Sequence, residues 1–248
     1  GPPETLKVVA LPDPEPGPGE VVVDVRACAL NFFDTRIIED RYQFRPERPF
    51  SPGGEVAGVV SAVGEGVADR APGDRVVGYL GHGGAREKVT LPAAHAFPFP
   101  EAISFEVASG IVVTYGTSLH ALADRGELKA GESLAVLGAS GGTGQAAVEL
   151  GRLMGARVIA CASSAEKLAV ARAHGADEGI VYEGSAEGAR AFKDALRAAT
   201  GGSGVDVVYD PVGGDLAEAA IRALAWKGRY LVIGFTAGIP RIPLNLLL

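Results

Sequence analysis

Cysteine is nearly missing from this 248-residue chain. There are two, Cys28 and Cys161, and neither belongs to a Cys-x-x-Cys pair. A structural zinc lobe built on cysteine is therefore excluded. Cys161 falls in an apolar run of strand character, where a free thiol behaves as a small apolar residue; a reduced, cytoplasmic setting is the expectation. Positive charge is also short, with 23 Lys and Arg against 30 Asp and Glu and a formal net charge of −7. No basic run is interleaved with aromatics, so neither nucleic acid nor a membrane surface is an expected partner. No apolar run approaches the ~20 residues of a membrane helix, and no secretory signal is legible. The four histidines (His82, His95, His120 and His174) show neither metal-ligand spacing nor a triad with a nucleophile.

What the chain does have is glycine, 35 residues of it, in clusters. Its length suffices for two modest domains, expected at 1–113 and 114–248. The first reads as β-rich. Strands are expected over Leu6–Ala10, Val21–Ala29, Glu55–Gly64 and Arg75–Leu80, with a Pro- and Gly-rich break between the first two. Several short strands without a long helix imply a small barrel or sandwich. Apolar residues at helical spacing over Val107–Ala123 predict a connecting helix.

From Glu132 the pattern alternates. Strands are expected over Ser133–Leu137, Arg157–Ala162, Gly179–Tyr182, Val205–Asp210 and Arg229–Gly234. The helices between them are expected over Gln145–Met154, Ala165–His174, Glu187–Ala199 and Leu216–Trp226. Such alternation means an α/β doubly wound parallel sheet with helices on both faces. The strand count is one short of the commonest dinucleotide-binding form. Strand-like residues follow soon after Gly1, and the apolar run 244–248 closes the sequence. The expectation is a piece of a longer protein.

The strongest motif is Gly138-Ala139-Ser140-Gly141-Gly142-Thr143-Gly144, which follows a strand and opens a helix. Read as G-x-G-x-x-G, it has Ala139 in place of the first glycine. Gly141 would let backbone approach a pyrophosphate, and Gly144 would let helix pack against strand. The helix N-terminus would then offer N–H groups and a positive dipole end. Where NAD-binding forms carry an acid, at the end of the next strand, this chain has Ser163, Ser164 and Lys167. Those residues would hold a 2′-phosphate, which a carboxylate would repel, so NADP(H) is the expected cofactor. The competing reading makes Ser163 or Ser164 an N-cap and Lys167 a solvated helix residue.

Several further stretches, in order, are similar to one known family. They are Asn31-Phe32-Phe33-Asp34, the run 49–58 (PFSPGGEVAG), Pro72-Gly73-Asp74-Arg75-Val76, Thr114-Tyr115-Gly116-Thr117 and Leu128-Lys129-Ala130-Gly131-Glu132. With the glycine loop they identify the chain as a member of the medium-chain dehydrogenase/reductase superfamily. Within it, the resemblance is to the zinc-free, zeta-crystallin-like quinone oxidoreductases. It implies a GroES-like β-barrel domain (1–113, its N-terminal strand shortened) and a Rossmann NADP-binding domain (114–248, without the last strand and the C-terminal return segment). Zinc-dependent members hold metal where this chain has Asn31 and Gly54, so no metal is expected. The resemblance assigns Asn31, Asp34, Tyr42 and Thr117 to the reacting site, alongside a cofactor loop of Ala139, Ser140, Gly141, Gly142, Thr143 and Gly144. It also places Tyr182 near the 2′-phosphate. Asn31 and Asp34 could equally cap the helix that follows, Tyr42 could be a half-buried aromatic, and Glu55 a structural carboxylate. His82, between glycines, is read as a surface loop residue.

The implied activity is hydride transfer from NADPH to a small-molecule quinone or activated alkene, by a homodimer. An enoyl-thioester reductase and a non-enzymatic NADPH-binding structural or sensing protein are the alternatives.

Overall fold

The computed structural model describes residues 1–247. The chain divides into two compact units, Gly1–Val113 and Thr114–Leu248.

The first unit is built on an antiparallel sheet. Its strands are β1 (Glu20–Ala29), β2 (Glu55–Val63), β3 (Arg75–Tyr79), β4 (Lys88–Pro92) and β5 (Ala96–Pro98), in the order β4-β1-β2-β3-β5. Alternate valines of β1 and β2 point inward, so Val21, Val23, Val56 and Val60 form the core with Val76, Val89 and Leu91. Helix α1 (Phe32–Ile38) follows β1. The strand expected over Leu6–Ala10 does not form. That segment runs without regular structure, with Leu6, Val8 and Val9 exposed. Among the described residues no strand pairs with it, and a strand without a partner has nothing to close its ladder.

The helix expected over Val107–Ala123 is real but interrupted. Gly110 ends α2 (Phe105–Ser109), and α3 (Ile111–Leu119) then runs into a π-helical turn at His120–Arg125.

The second unit alternates strand and helix. It contains β6 (Ser133–Leu137), α4 (Gly142–Leu153), β7 (Arg157–Ala162), α5 (Ala165–Ala173), β8 (Glu178–Val181), α6 (Ala186–Ala199), β9 (Val205–Asp210), α7 (Asp215–Arg222) and β10 (Leu224–Val232). The sheet order is β10-β9-β6-β7-β8 with every pair parallel. Successive residues of β6 enter opposite cores: Leu134 and Val136 pack on one face, Ala135 and Leu137 on the other. A strand buried on both faces must be apolar there, and Leu134–Leu137 are, while Ser133 at the strand start bonds Asp206.

The helix expected over Leu216–Trp226 stops at Arg222, and Leu224 instead pairs with Val205 at the start of β10. A short apolar run fits helix or strand equally; the partner strand decides. Lys227, at φ +62, and the register shift after Leu224 set the early part of β10 apart from its regular pairing at Arg229–Val232. The apolar run expected over 244–248 forms a 3₁₀ turn at Leu244–Leu247, and residue 248 lies outside the described residues.

Candidate functional site

The glycine loop joins β6 to α4. Gly138 takes φ +58, open mainly to glycine. The Gly141 N–H closes back on the Gly138 carbonyl at 2.9 Å, and Gln145 Nε2 donates to the Ser140 carbonyl at 2.7 Å. Ala139 is buried, and its N–H donates to the Cys161 carbonyl at 3.1 Å, which binds the loop to β7. Gly144 is where the helix meets the strand: a Cβ there would lie 2.2 Å from the Gly138 carbonyl oxygen. Gly141 and Gly142 stay exposed. The first-turn N–H groups of Gly142, Thr143 and Gly144 have no carbonyl within the helix to serve them. An exposed glycine cradle, N–H donors and a positive dipole end suit a pyrophosphate.

The same unit places the serines and lysine at the carboxyl end of β7. Ser164 caps α5, its Oγ accepting from the Lys167 N–H at 3.3 Å. The Lys167 ammonium turns back to donate to Ser163 Oγ at 2.8 Å. Ser163 and Lys167 are exposed, so the corner presents a hydroxyl and a cation together. Ser164 thus serves as the cap, while Ser163 and Lys167 form the exposed pair. Glu166 sits in the same turn, its carboxyl held below its usual range by hydrogen bonds from its own N–H and from Ser164. Tyr182 follows β8, half-buried, its ring 5.7 Å from Phe192. Burial pushes its phenol up.

Sequence reasoning missed two supports of this loop. Tyr209, wholly buried on β9, meets Ser118 Oγ at 2.7 Å, and that hydroxyl also lies 3.1 Å from the Thr143 carbonyl. Asp210, also buried, accepts from the N–H groups of Val212 (2.7 Å) and Gly213 (2.9 Å) and from the Tyr230 hydroxyl. It shapes the turn that brings Val212 against Gly138. A Tyr-Asp pair at a strand end was the available signal, but its partners are remote in sequence. Thr117 is exposed on α3.

In the first unit, Asn31 and Asp34 come together. Asn31 is the N-cap of α1, and its N–H donates to Asp34 Oδ2 at 2.7 Å. Asp34 is 2% exposed and takes a second bond, from the Gly53 N–H at 2.8 Å. The Asn31 amide donates to Glu55 Oε1 at 3.0 Å, and Glu55 Oε2 accepts from the Val113 N–H at 2.8 Å. Glu55 is wholly buried without a basic partner among the described residues. Burial raises its carboxyl above the ordinary value, and those hydrogen bonds oppose the shift. Asp34 thus joins α1 to the loop around Gly53, and Glu55 is a structural carboxylate. Tyr42 is half-buried, its ring 6.0 Å from Phe33.

Gly54 has no space for a side chain: a Cβ would lie 2.6 Å from the ring of Phe33. Among the described residues no group of His, Cys, Asp and Glu could hold a metal ion. His82 departs from its expected surface role. It is half-buried against two phenyl rings, because Phe44 and Phe50 fold over its loop.

Residues 17–101 match the alcohol dehydrogenase GroES-like domain, and residues 142–248 match the zinc-binding dehydrogenase domain. The class is therefore that of the GroES-like plus Rossmann oxidoreductases. The rat quinone oxidoreductase-like protein 2 is 39% identical over 99% of this chain and 69% of its own length. Escherichia coli quinone oxidoreductase, solved in complex with NADPH, superposes with TM-score 0.90 at 32% identity, over 100% of this chain and 74% of that one. The rat synaptic vesicle membrane protein VAT-1 homolog is 39% identical over 89% of this chain and 53% of its own length. The chain belongs to the quinone oxidoreductase family of the medium-chain dehydrogenase/reductases. It spans about two thirds of the length of the first curated relatives it matches.

Proposed function

We propose that this protein is an NADPH-dependent reductase that passes hydride to a quinone or an activated alkene without zinc. The observation that carries the reading is the pairing of an exposed glycine loop at the α4 N-terminus with the Ser163–Lys167 corner at the end of the adjacent strand. The loop suits the pyrophosphate, and the corner suits the phosphate that distinguishes NADPH from NADH. Tyr182, at the end of the next strand and packed on Phe192, is the further candidate contact near that phosphate.

Bound NADPH would supply the hydride from its nicotinamide ring. The chain's own residues orient it, exclude water and donate hydrogen bonds where charge develops on the acceptor. In this reading the Asn31 amide, fixed by Glu55, donates to the acceptor oxygen or the cofactor carboxamide, and Asp34 holds the helix that carries it. The Tyr42 phenol is the candidate proton donor to the reduced acceptor, and Thr117 a nicotinamide contact. The case against zinc is the donor set. Asn31 is an amide already bonded to Glu55, and Gly54 has no side chain, whereas zinc requires thiolate, imidazole or carboxylate. A homodimer and a cytoplasmic setting belong to the same reading.

The test is NADPH oxidation, followed by absorbance, with 9,10-phenanthrenequinone, 1,4-benzoquinone and crotonyl-CoA in parallel and NADH as control. Quinone turnover with NADPH preferred is the expected result. Turnover with the thioester alone would make the protein an enoyl-thioester reductase. NADPH binding without any turnover would leave a structural or sensing role.

A further inference from the structure

The loop Gly81-His82-Gly83-Gly84 leaves β3, with Gly81 at φ +79 and Gly83 at φ +98. It turns the His82 ring onto Phe44, edge-on at 5.6 Å, and onto Phe50 at 6.0 Å. Nδ1 is buried and has no hydrogen-bond partner. A buried polar atom left unpaired costs free energy and calls for a reason. With no acceptor within reach of Nδ1, the N–H donor that can find a partner is at Nε2, where water can serve it. Among the described residues Nε2 makes no hydrogen bond within the protein, and it is not a buried atom. The loop therefore fixes an imidazole with its N–H donor facing outward.

The surroundings are aromatic and uncommitted. Phe44 is 50% exposed and Tyr79 45%, and the Tyr79 hydroxyl lies 3.9 Å from where a Cβ on Gly81 would be. Burial and the nearby Tyr42 phenol both push the Tyr79 phenol up, so the two tyrosines share this side of the unit. A flat aromatic ring would cover the exposed phenyl faces with favourable offset or edge contacts. A carbonyl on that ring would meet the outward N–H.

Resting on the reading that the protein reduces a carbonyl-bearing acceptor, we propose that Phe44, Phe50 and His82 form its acceptor subsite. The ligand class is a planar aromatic dicarbonyl, held against the two phenyl rings and hydrogen-bonded by His82 Nε2. His82 is then a specificity-determining residue, distinct from the Asn31–Asp34–Glu55 network.

The experiment compares the wild type with His82→Phe, which keeps the ring packing, and His82→Gln, which keeps an N–H donor. Steady-state kinetics with 9,10-phenanthrenequinone and crotonyl-CoA are paired with NADPH titrations and thermal melts. His82→Phe should raise KM for the quinone about tenfold, equivalent to about 1.4 kcal/mol. Its kcat, its NADPH affinity and its melting temperature should stay near wild type, and His82→Gln should recover most of the loss. An unchanged KM in His82→Phe, or equal losses in both variants, overturns the proposal. So does a parallel weakening of NADPH. If the wild type reduces no quinone, the reading above fails by itself. Fluorescence titration with 9,10-phenanthrenequinone then decides the subsite: binding that His82→Phe weakens upholds it, and absent or unaltered binding overturns it.

Discussion

Replacing Gly141 and Gly144 by alanine, one at a time, separates what the glycine loop does for the fold from what it does for the cofactor. At Gly144 the new Cβ would lie 2.2 Å from the Gly138 carbonyl oxygen and 2.9 Å from the Ala139 Cα. Both are backbone atoms, and reaching even a 3.0 Å contact requires a shift of about 0.8 Å between α4 and β6. Overpacking of this kind costs about 1–3 kcal/mol, partly offset by up to about 1 kcal/mol of better helix propensity. At roughly 3 °C per kcal/mol for a chain of this size, the melting temperature should fall by a few degrees. Gly141 is different. Its φ of −79 suits any residue, and its Cβ would sit an ordinary 3.4 Å from the Gly138 oxygen. Gly141→Ala should therefore melt within about 3 °C of wild type, the cost of a poorer N-cap. Its methyl group would hold a pyrophosphate off the N–H donors. Losing one charge-assisted hydrogen bond, worth about 1.5–3 kcal/mol, should weaken NADPH roughly 10- to 100-fold. Differential scanning fluorimetry and NADPH fluorescence titration read the two effects. A Gly144→Ala protein that melts with wild type would refute the packing argument. A Gly141→Ala protein that binds NADPH within threefold of wild type would refute the loop as the phosphate seat.

Lys167→Ala should lower NADPH affinity about tenfold through loss of a charge-assisted bond, with NADH binding and thermal stability unchanged; equal losses for the two cofactors would remove the 2′-phosphate assignment. Tyr209→Phe deletes the buried hydroxyl that meets Ser118, and calorimetry should show a loss of about 1 kcal/mol; an unchanged melt would mean that water or Thr143 replaces the contact. Glu132 is held below its ordinary pKa chiefly by Arg229. Its folded value is lowered, so its contribution is complete above the unfolded value and is lost as pH falls through the folded one. Glu132→Gln should flatten the acid limb of the melting-temperature profile, and parallel profiles for the two proteins would contradict this.

The alternation of strand and helix from Ser133 onward was legible because short, mainly apolar runs alternate with longer stretches of helical spacing. The glycine loop was legible because the turn needs glycine for backbone reasons that the motif itself records. The polar network of the first unit was legible only as a set of residue types. Whether Asn31 and Asp34 face a ligand or a helix end depends on Glu55 and Gly53, some twenty positions away. Leu6–Ala10 and the end of α7 were misread for the same reason. A short apolar run states a wish to be buried or paired, and the neighbour that grants it comes from elsewhere in the chain.

Sequence alone determined the family, the doubly wound class of the second unit, the glycine loop at the α4 N-terminus and the presence of a hydroxyl and a cation at the end of the next strand. Those features are local, written in residues that touch their neighbours along the chain. Tertiary structure decided which polar groups are left over. It gave Asp34 to Gly53, Asn31 to Glu55 and Tyr209 to Ser118, and it buried one nitrogen of His82 beneath two phenyl rings without a partner. Hydrogen-bond satisfaction is a property of the packed interior, so the unpaired atoms become visible only once every other group has been assigned.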